Sequence, residues 1–489
     1  MERKKINIVW LKRDLRTQDH AALYAAEYEV TPYLIIYLIE PTIISYPDTS
    51  LRHLQFQYHS ILQMQSKLEA ANQKVHILYA EAINAFTYLN EHFEIQKVFS
   101  YQESGIKLTF NRDLAVKIFL KENNIIWTEF QRDGILRGIK NRTGWDKAWY
   151  QMAHSEQFKN IFSESKSIEF VNPFPLAGEF EQELNKYPRE YQPAGEDFGQ
   201  KYLQTFTNHR AANYSRHISK PLESRTSCSR LSPYLAWGNL SIKQVYQALE
   251  SAKNSGKYKR PIDNAITRLH WHCHFIQKFE TECEYETRFL NAAYNQVVWN
   301  KNDEALQAWK EGKTGIPLID ACMRALWQTG WINFRMRAMV VSFLCHHLFL
   351  DWRSGVYHLA NLFLDYEPGI HYSQFQMQAG TTGINLIRIY NPIKQSQEHD
   401  PNGVFIKKWI PELQNVPDKY IHEPWKMPLM EQELANVRIG TEYPAPIIEP
   451  EKEIKNNRDK IWAFRKTKSV KINNPSIVEK HARPRKKSI

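Results

Sequence analysis

Between Gly312 and Pro392 apolar residues recur at the spacing of a helix while charged residues recur inside the same run. Leu318, Ile319, Met323, Leu326 and Trp327 share one stripe, and Met339, Val340, Phe343, Leu344 and Leu348 a second. A period near 3.6 held over two segments requires packed helices rather than sheet. Arg324, Arg335, Arg337, Arg353, Asp320, Asp351 and Asp365 are threaded among these positions. A buried helical hairpin with surface charges satisfies that spacing by itself.

The first 135 residues follow a different rhythm. INIVWL, TPYLIIYLI, KVHILYA, KVFSY and IIWTEF are strand candidates, separated by amphipathic stretches such as RHLQFQYHSILQMQSKLEAAN and LTFNRDLAVKIFLKEN. Alternating strand and helix predict an α/β domain with a doubly wound parallel sheet over residues 1–135. No GxGxxG follows the first strand, so the dinucleotide fingerprint is absent. Residues 136–200 are turn-rich and punctuated by Pro173, Pro175, Pro188 and Pro193, which predicts a connector. Residues 201–425 are helical in pattern and hold nine of the fourteen tryptophans. The expected fold is thus α/β plus all-α, a parallel-sheet domain followed by a large helical domain.

Residues 451–489 carry 13 Lys/Arg against 4 Asp/Glu, or +9 of the net +11. Residues 426–489 are therefore expected to be a basic tail, either solvated or an arm for phosphates, that binds polyanions without reading sequence. No run of 18 apolar residues and no signal-peptide core occur, so a cytoplasmic chain with no membrane contact is expected. The five cysteines are odd in number and lack paired metal-type spacing, which argues against a disulfide framework.

GKTGIPLIDACMRALWQTGW, RMRAMVVSFL, DWRSG, LFLDYEPG and RIYNP keep one order over about a hundred positions. That series resembles the flavin-binding domain of the DNA photolyase/cryptochrome family. The resemblance implies FAD in the helical domain. It also implies an accessory antenna chromophore, of unspecified identity, in the first domain. There WLKRDLRTQDHAAL looks like the family's opening strand and loop, with His20 where asparagine is usual, and Glu103 as a pigment contact. One branch of the family places an iron–sulfur cluster on C-terminal cysteines; none follows Cys345, so no cluster is expected. His270, His272 and His274 lack a carboxylate third ligand or an HExxH, so no metal is expected either.

The flavin site carried over by the resemblance begins at Tyr214 and the run Cys228, Ser229, Arg230, Leu231 and Ser232. This run precedes a helix whose free N–H groups suit a pyrophosphate. Cys228 replaces the usual threonine. Arg337 and Asp365 match the ion pair beside the isoalloxazine, and Glu367 stands where an aspartate faces the pyrimidine edge. His371 falls opposite flavin N5, where it can donate or accept. Arg268, Trp271 and His274 lie on a helix touching both cofactor and lesion. Arg268, Trp271, Phe334 and Met377 are the expected DNA contacts. Dimer-repairing members have a glutamate at Arg268 and an asparagine at Phe334. Trp299 and Trp352 match two members of the electron-transfer chain, while Phe375 replaces the third; Trp327, Trp331 or Tyr372 are candidate substitutes.

Trp271 and the basic tail favour a monomeric, light-driven lyase that repairs UV-induced pyrimidine dimers in DNA. Arg268 and Phe334 favour the alternative, a cryptochrome-type blue-light photoreceptor acting through a signalling partner. A third possibility is an FAD protein with no light role, which only the missing tryptophan supports.

Overall fold

The computed structural model describes residues 3–483. Strands β1 (Lys4–Leu11), β2 (Tyr33–Leu38), β3 (Val75–Leu78), β4 (Phe93–Tyr101) and β5 (Ile126–Phe130) form one parallel sheet in the order β3-β2-β1-β4-β5. Helices α1 (Ala21–Tyr28), α2 (Leu51–Leu68), α3 (Ala82–His92) and α4 (Lys107–Glu122) connect and cover it. Ile6 and Ile8 through Leu11 are all buried, because a sheet covered on both faces makes its strands continuous apolar runs. α1 starts inside the segment expected to be a loop. His20 caps it, its Nδ1 accepting from the Leu23 N–H at 3.1 Å while Nε2 lies 2.8 Å from Asp14.

Strand order reverses between β1 and β4, which leaves a crevice at their C-terminal ends. A cavity of about 90 Å³ opens there, lined by Lys12, Arg13, Glu40, Asp48, Glu103 and Arg112 and closed by Trp237 and Tyr366 of the helical half.

The helical half is built on α5 (Lys259–Thr281), α6 (Pro317–Thr329), α7 (Phe334–Ser342), α8 (Arg353–Leu362) and α9 (Pro368–Gln378). α6 to α9 and the turn after α7 bury both apolar stripes in the chain's main core, with Trp309 and Trp352. Trp327 is the exception: it is 66% exposed on the surface and so does not substitute in the electron-transfer chain from within the core. A π-helical turn, Phe343–His347, ends α7. Asp320 is fully buried and accepts from the Thr314 N–H (2.8 Å), Thr314 Oγ1 (2.6 Å), the Gly315 N–H (3.0 Å) and Tyr443 Oη (2.6 Å). The GKTG–Asp pattern is therefore a staple that fixes the entry to α6. Gly315 has φ +74°, and a Cβ there would meet Ala445 backbone at 2.4 Å.

The C-terminal segment differs from the expected tail. α10 (Pro450–Arg465) and α11 (Lys468–His481) pack on the helical half. Ile461 and Val470 join its core, and Asn457 Nδ2 donates to the His347 carbonyl at 3.1 Å. Lys480 and His481 close on Glu282 at 2.8 and 3.2 Å. Few apolar residues are needed to seat each helix, so a high charge density does not keep the segment in solvent. Residues 484–489, with the last part of the basic run, lie outside the described residues. Among the described residues no helix is long and apolar enough to cross a membrane.

Candidate functional site

A cavity of about 280 Å³ lies between α5, α7 and α9 and the segment from Tyr214 to Ser232. Asn333 sets one wall. Its Oδ1 caps α7 through the Met336 N–H at 2.9 Å, and its Nδ2 donates to Ser224 Oγ at 3.0 Å. Arg337 projects one turn later. Its Nη2 donates to both Asp365 oxygens at 2.8 and 2.7 Å, its Nε donates to the Ile332 carbonyl at 3.0 Å, and the guanidinium lies 4.0 Å from the Phe363 ring centre. The Asp365 side chain is 1% exposed, so this pair is a buried fixture of the cavity.

The opposite wall is the loop at Cys228 to Ser232. Arg210 grips its carbonyls, donating to those of Cys228 and, at 3.1 Å, Ser229, and Gln192 Nε2 donates to the Arg230 carbonyl at 2.5 Å. Among the described residues no backbone carbonyl accepts from the N–H groups of Ser229, Arg230, Leu231 or Ser232. Arg230 has φ +59°, and its Nε is buried with no acceptor among the described residues. Burial and then the neighbouring Arg225 charge bring its guanidinium down to about 10. The cavity lining holds Arg230, Arg268 and Arg337 against a single carboxylate, Asp365. Neither Arg230 nor Arg268 has an acidic partner within 4 Å among the described residues. Unpaired donors and surplus positive charge suit a bound pyrophosphate. The following helix, Ser232–Ala236, has five residues, so the loop's N–H groups rather than a helix dipole favour the anion.

His371 lines the same cavity, with Nε2 2.9 Å from the Val356 carbonyl. Burial holds its pKa down to about 4, so the ring is neutral near pH 7. The proton therefore sits on Nε2 and Nδ1 is an acceptor. Of the two roles open to this histidine, the structure leaves one.

Tyr214, Cys228, Ser229, Arg230, Leu231, Ser232, Arg268, Trp271, Phe334, Arg337, Asp365, His371 and Phe375 all line the cavity. Glu367 does not. Its Oε2 accepts from Arg132 Nη2 at 2.8 Å and lies 3.9 Å from Arg13, so it faces the sheet domain. The turn at Leu364 and Asp365 breaks the period that would have set both acids on one side. His274 is also outside the lining; its carbonyl accepts from Arg142 at 2.7 Å, and burial drives the imidazole down to about 2. Met377 is half-buried on α9 and does not line the cavity. His272, Phe275, Trp331, Asn333 and Gln374 join the lining without having been picked out as contacts. The α5 set Arg268, Trp271, His272 and Phe275 falls at i, i+3, i+4 and i+7, a face legible in sequence.

Trp299 and Trp352 lie outside the cavity and are joined to it by other rings. Phe375 is 6.2 Å from Trp352, Trp352 is 6.1 Å from Phe289, and Phe289 is 6.3 Å from Trp299. Phenylalanine thus interrupts the series twice. At the mouth, Trp271 is 40% and Phe334 46% exposed, and the Arg268 guanidinium lies 5.6 Å from the Phe334 ring. The smaller cavity in the sheet half is different in kind: Arg112 bonds Glu40, Glu103 and Asp113 at 2.6–2.8 Å, so its charges satisfy one another.

Residues 7–144 match the DNA photolyase family model, and residues 265–463 match that of the FAD binding domain of DNA photolyase. A deoxyribodipyrimidine photo-lyase of Alkalihalophilus pseudofirmus is 29% identical over 474 residues, covering 92% of this chain and 96% of the relative. Cryptochrome-2 of Arabidopsis thaliana is 27% identical over 483 residues, covering 92% and 77%. The chain belongs to the DNA photolyase/cryptochrome family. Solved members of that family share the fold. A class III photolyase from Agrobacterium tumefaciens superposes with a TM-score of 0.82 at 24% identity, covering 96% of this chain and 99% of its own. A Synechocystis sp. PCC6803 cryptochrome gives 0.83 at 22%, covering 94% and 99%. The α5–α9 cavity falls within the matched FAD-binding domain, and its donors and charge fit FAD. The loop at Ser229 to Ser232 and Arg230 would hold the pyrophosphate. Arg337, Asp365 and His371 would border the flavin ring.

Proposed function

We propose that this chain is a photolyase that uses blue light to split UV-induced pyrimidine dimers in DNA. The observation carrying the proposal is the exposed rim of Trp271, Phe334 and Arg268 on the same cavity whose depth holds the Arg337–Asp365 pair. A dimer turned out of the duplex could stack on Trp271, as bases stack on aromatic platforms. Arg268 would meet a phosphate or carbonyl oxygen of the lesion. Bound FAD supplies the light absorption and the electron. The protein's part is to orient it and keep water away: Arg337 and Asp365 fix the flavin edge, and His371 accepts a hydrogen bond through Nδ1. The smaller cavity is the place for an antenna chromophore, although its self-satisfied charges specify none. A monomer in the cytoplasm completes the proposal.

Arg268 and Phe334 stand where dimer-repairing relatives carry glutamate and asparagine, which favours the photoreceptor reading as the second. A repair assay under blue light, with the flavin reduced beforehand and duplexes carrying each lesion type, separates the two. Conversion of a lesion back to paired pyrimidines supports the lyase. Normal flavin photochemistry with no repair of any lesion rejects it in favour of a photoreceptor with a signalling partner.

A further inference from the structure

Behind His371 lies a group of tyrosines and carboxylates that neither FAD binding nor DNA contact uses. The Tyr366 ring is 5.3 Å from the His371 ring. Its hydroxyl donates to Asp48 Oδ2 at 2.5 Å, and both side chains belong to residues only 3% exposed. Asp48 comes from the sheet half, 318 positions away, so the couple exists only in the assembled protein. Tyr372 is equally close to His371, at 5.5 Å between rings, but its buried hydroxyl faces that of Tyr366 and, among the described residues, donates to no carboxylate. Further out, Tyr46 donates to Glu286, and its ring lies 6.2 Å from that of Tyr357; both tyrosines are half-buried.

The chemistry distinguishes these rings. A phenol that loses an electron becomes a strong acid, so its oxidation is feasible in a protein interior when a base takes the proton at once. Tyr366 has such a base and Tyr372 does not. Three of the competing tryptophans are handicapped, and a fourth, Trp271, sits 40% exposed at the mouth of the cavity. Phe375 and Phe289 interrupt the path to Trp352 and Trp299. Trp331 lines the cavity, but Arg230 and Arg225 lie 4.0 and 5.8 Å from its ring, and these cations oppose a positive charge there.

We propose that Tyr366, with Asp48 as its proton acceptor, is the first electron donor to photoexcited, oxidised flavin in this protein. One electron leaves the Tyr366 ring for the flavin, which is reduced by one electron. The Tyr366 O–H bond breaks, and the proton forms a new O–H bond on Asp48 Oδ2. Tyr366 is left as a neutral radical and Asp48 as a neutral acid. A thiol in solution later gives up one electron and its proton, two such thiyl radicals joining as a disulfide. The electron restores Tyr366, and Asp48 returns its proton to the Tyr366 oxygen. The inference rests on the flavin reading of the cavity, but not on DNA repair.

The test is flash illumination of the full chain loaded with oxidised FAD, with a thiol present. The wild type should show the absorption and EPR signature of a tyrosyl radical, narrowed when its tyrosines are ring-deuterated. A protonated-carboxyl band should appear in the infrared difference spectrum. Tyr366→Phe should lose both signals, and Tyr372→Phe should keep them. Asp48→Asn should slow flavin reduction about 100-fold, the low end of what a positioned base contributes. Asp48 is faced by Tyr366, Thr49, Arg13 and Glu286, and burial raises its carboxyl to about 6. The wild-type rate should therefore fall as pH drops below that value, and the Asp48→Asn rate should not. Absence of a tyrosyl signal in the wild type overturns the inference whether or not the variants fold. So does Tyr366→Phe reducing its flavin at the wild-type rate. FAD content is measured separately: a wild type that binds none refutes the flavin reading instead.

Discussion

Arg337→Ala removes both hydrogen bonds to Asp365 and leaves that carboxylate in a wall where its side chain is 1% exposed. Removing one partner of a buried ion pair costs about 3–5 kcal/mol. The Arg337 side chain is 25% exposed, so water can reach part of the vacated space, which argues for the lower end. About 3 kcal/mol corresponds to roughly a hundredfold shift in the folding equilibrium. Denaturant unfolding of the flavin-free protein reads that loss without the contribution of bound cofactor. The same substitution lowers the lining from three guanidinium groups to two, so the purified variant should carry less flavin. Adding Asp365→Asn to Arg337→Ala removes the stranded charge. Stability should then recover most of the way, while flavin content should not. The reasoning fails if Arg337→Ala unfolds within about 0.5 kcal/mol of the wild type, the range of ordinary surface changes. It also fails if the double variant is no more stable than the single one.

Trp271→Ala should weaken binding of a dimer-containing duplex by about 1–3 kcal/mol and leave undamaged duplex nearly unchanged, as read by titration of each DNA. Ile461→Ala should destabilise the protein by about 2–5 kcal/mol in denaturant unfolding, because α10 completes a core instead of trailing in solvent. Burial raises the Asp320 carboxyl from 3.8 to about 6, so the folded state holds a proton that the unfolded state has released in that interval. Asp320 therefore contributes stability that is present below the unfolded pKa and lost as pH rises through the folded one. Unfolding measured across that window should show a smaller loss with rising pH in Asp320→Asn than in the wild type.

The sheet domain was legible because strands covered on both faces must be continuous apolar runs, as Ile6 to Leu11 are. The cavity was legible through the motifs that resemble the family's flavin domain, which carried over Arg337 on α7 and Trp271 on α5, and both line it. Direction failed where backbone period broke. Glu367 lies two residues from Asp365, yet the intervening turn sends it to Arg132. α10 and α11 were hidden by charge, since two buried apolar residues, Ile461 and Val470, seat them in the core. Tyr366 and Asp48 could not have been paired from sequence, because a contact across 318 positions follows from how two domains meet and leaves no local pattern. The same holds for Phe289, whose place between Trp299 and Trp352 depends on three separate segments.

The seating of α10 and α11 has a consequence for how the protein is made. The last strand of the sheet ends at Phe130, whereas α11 ends at His481. At about 5–20 residues per second, a ribosome needs roughly 20–70 s to travel between those points. During that interval the sheet domain can fold, but Arg13 and Arg132 have no Glu367 to bind until α9 arrives. The helical core must wait longer, because Ile461 and Val470 are among the last residues it receives. The nascent helical half therefore presents an unfinished apolar surface for most of its synthesis, and a premature stop codon before Ile461 should yield chains that are cleared rather than partly active.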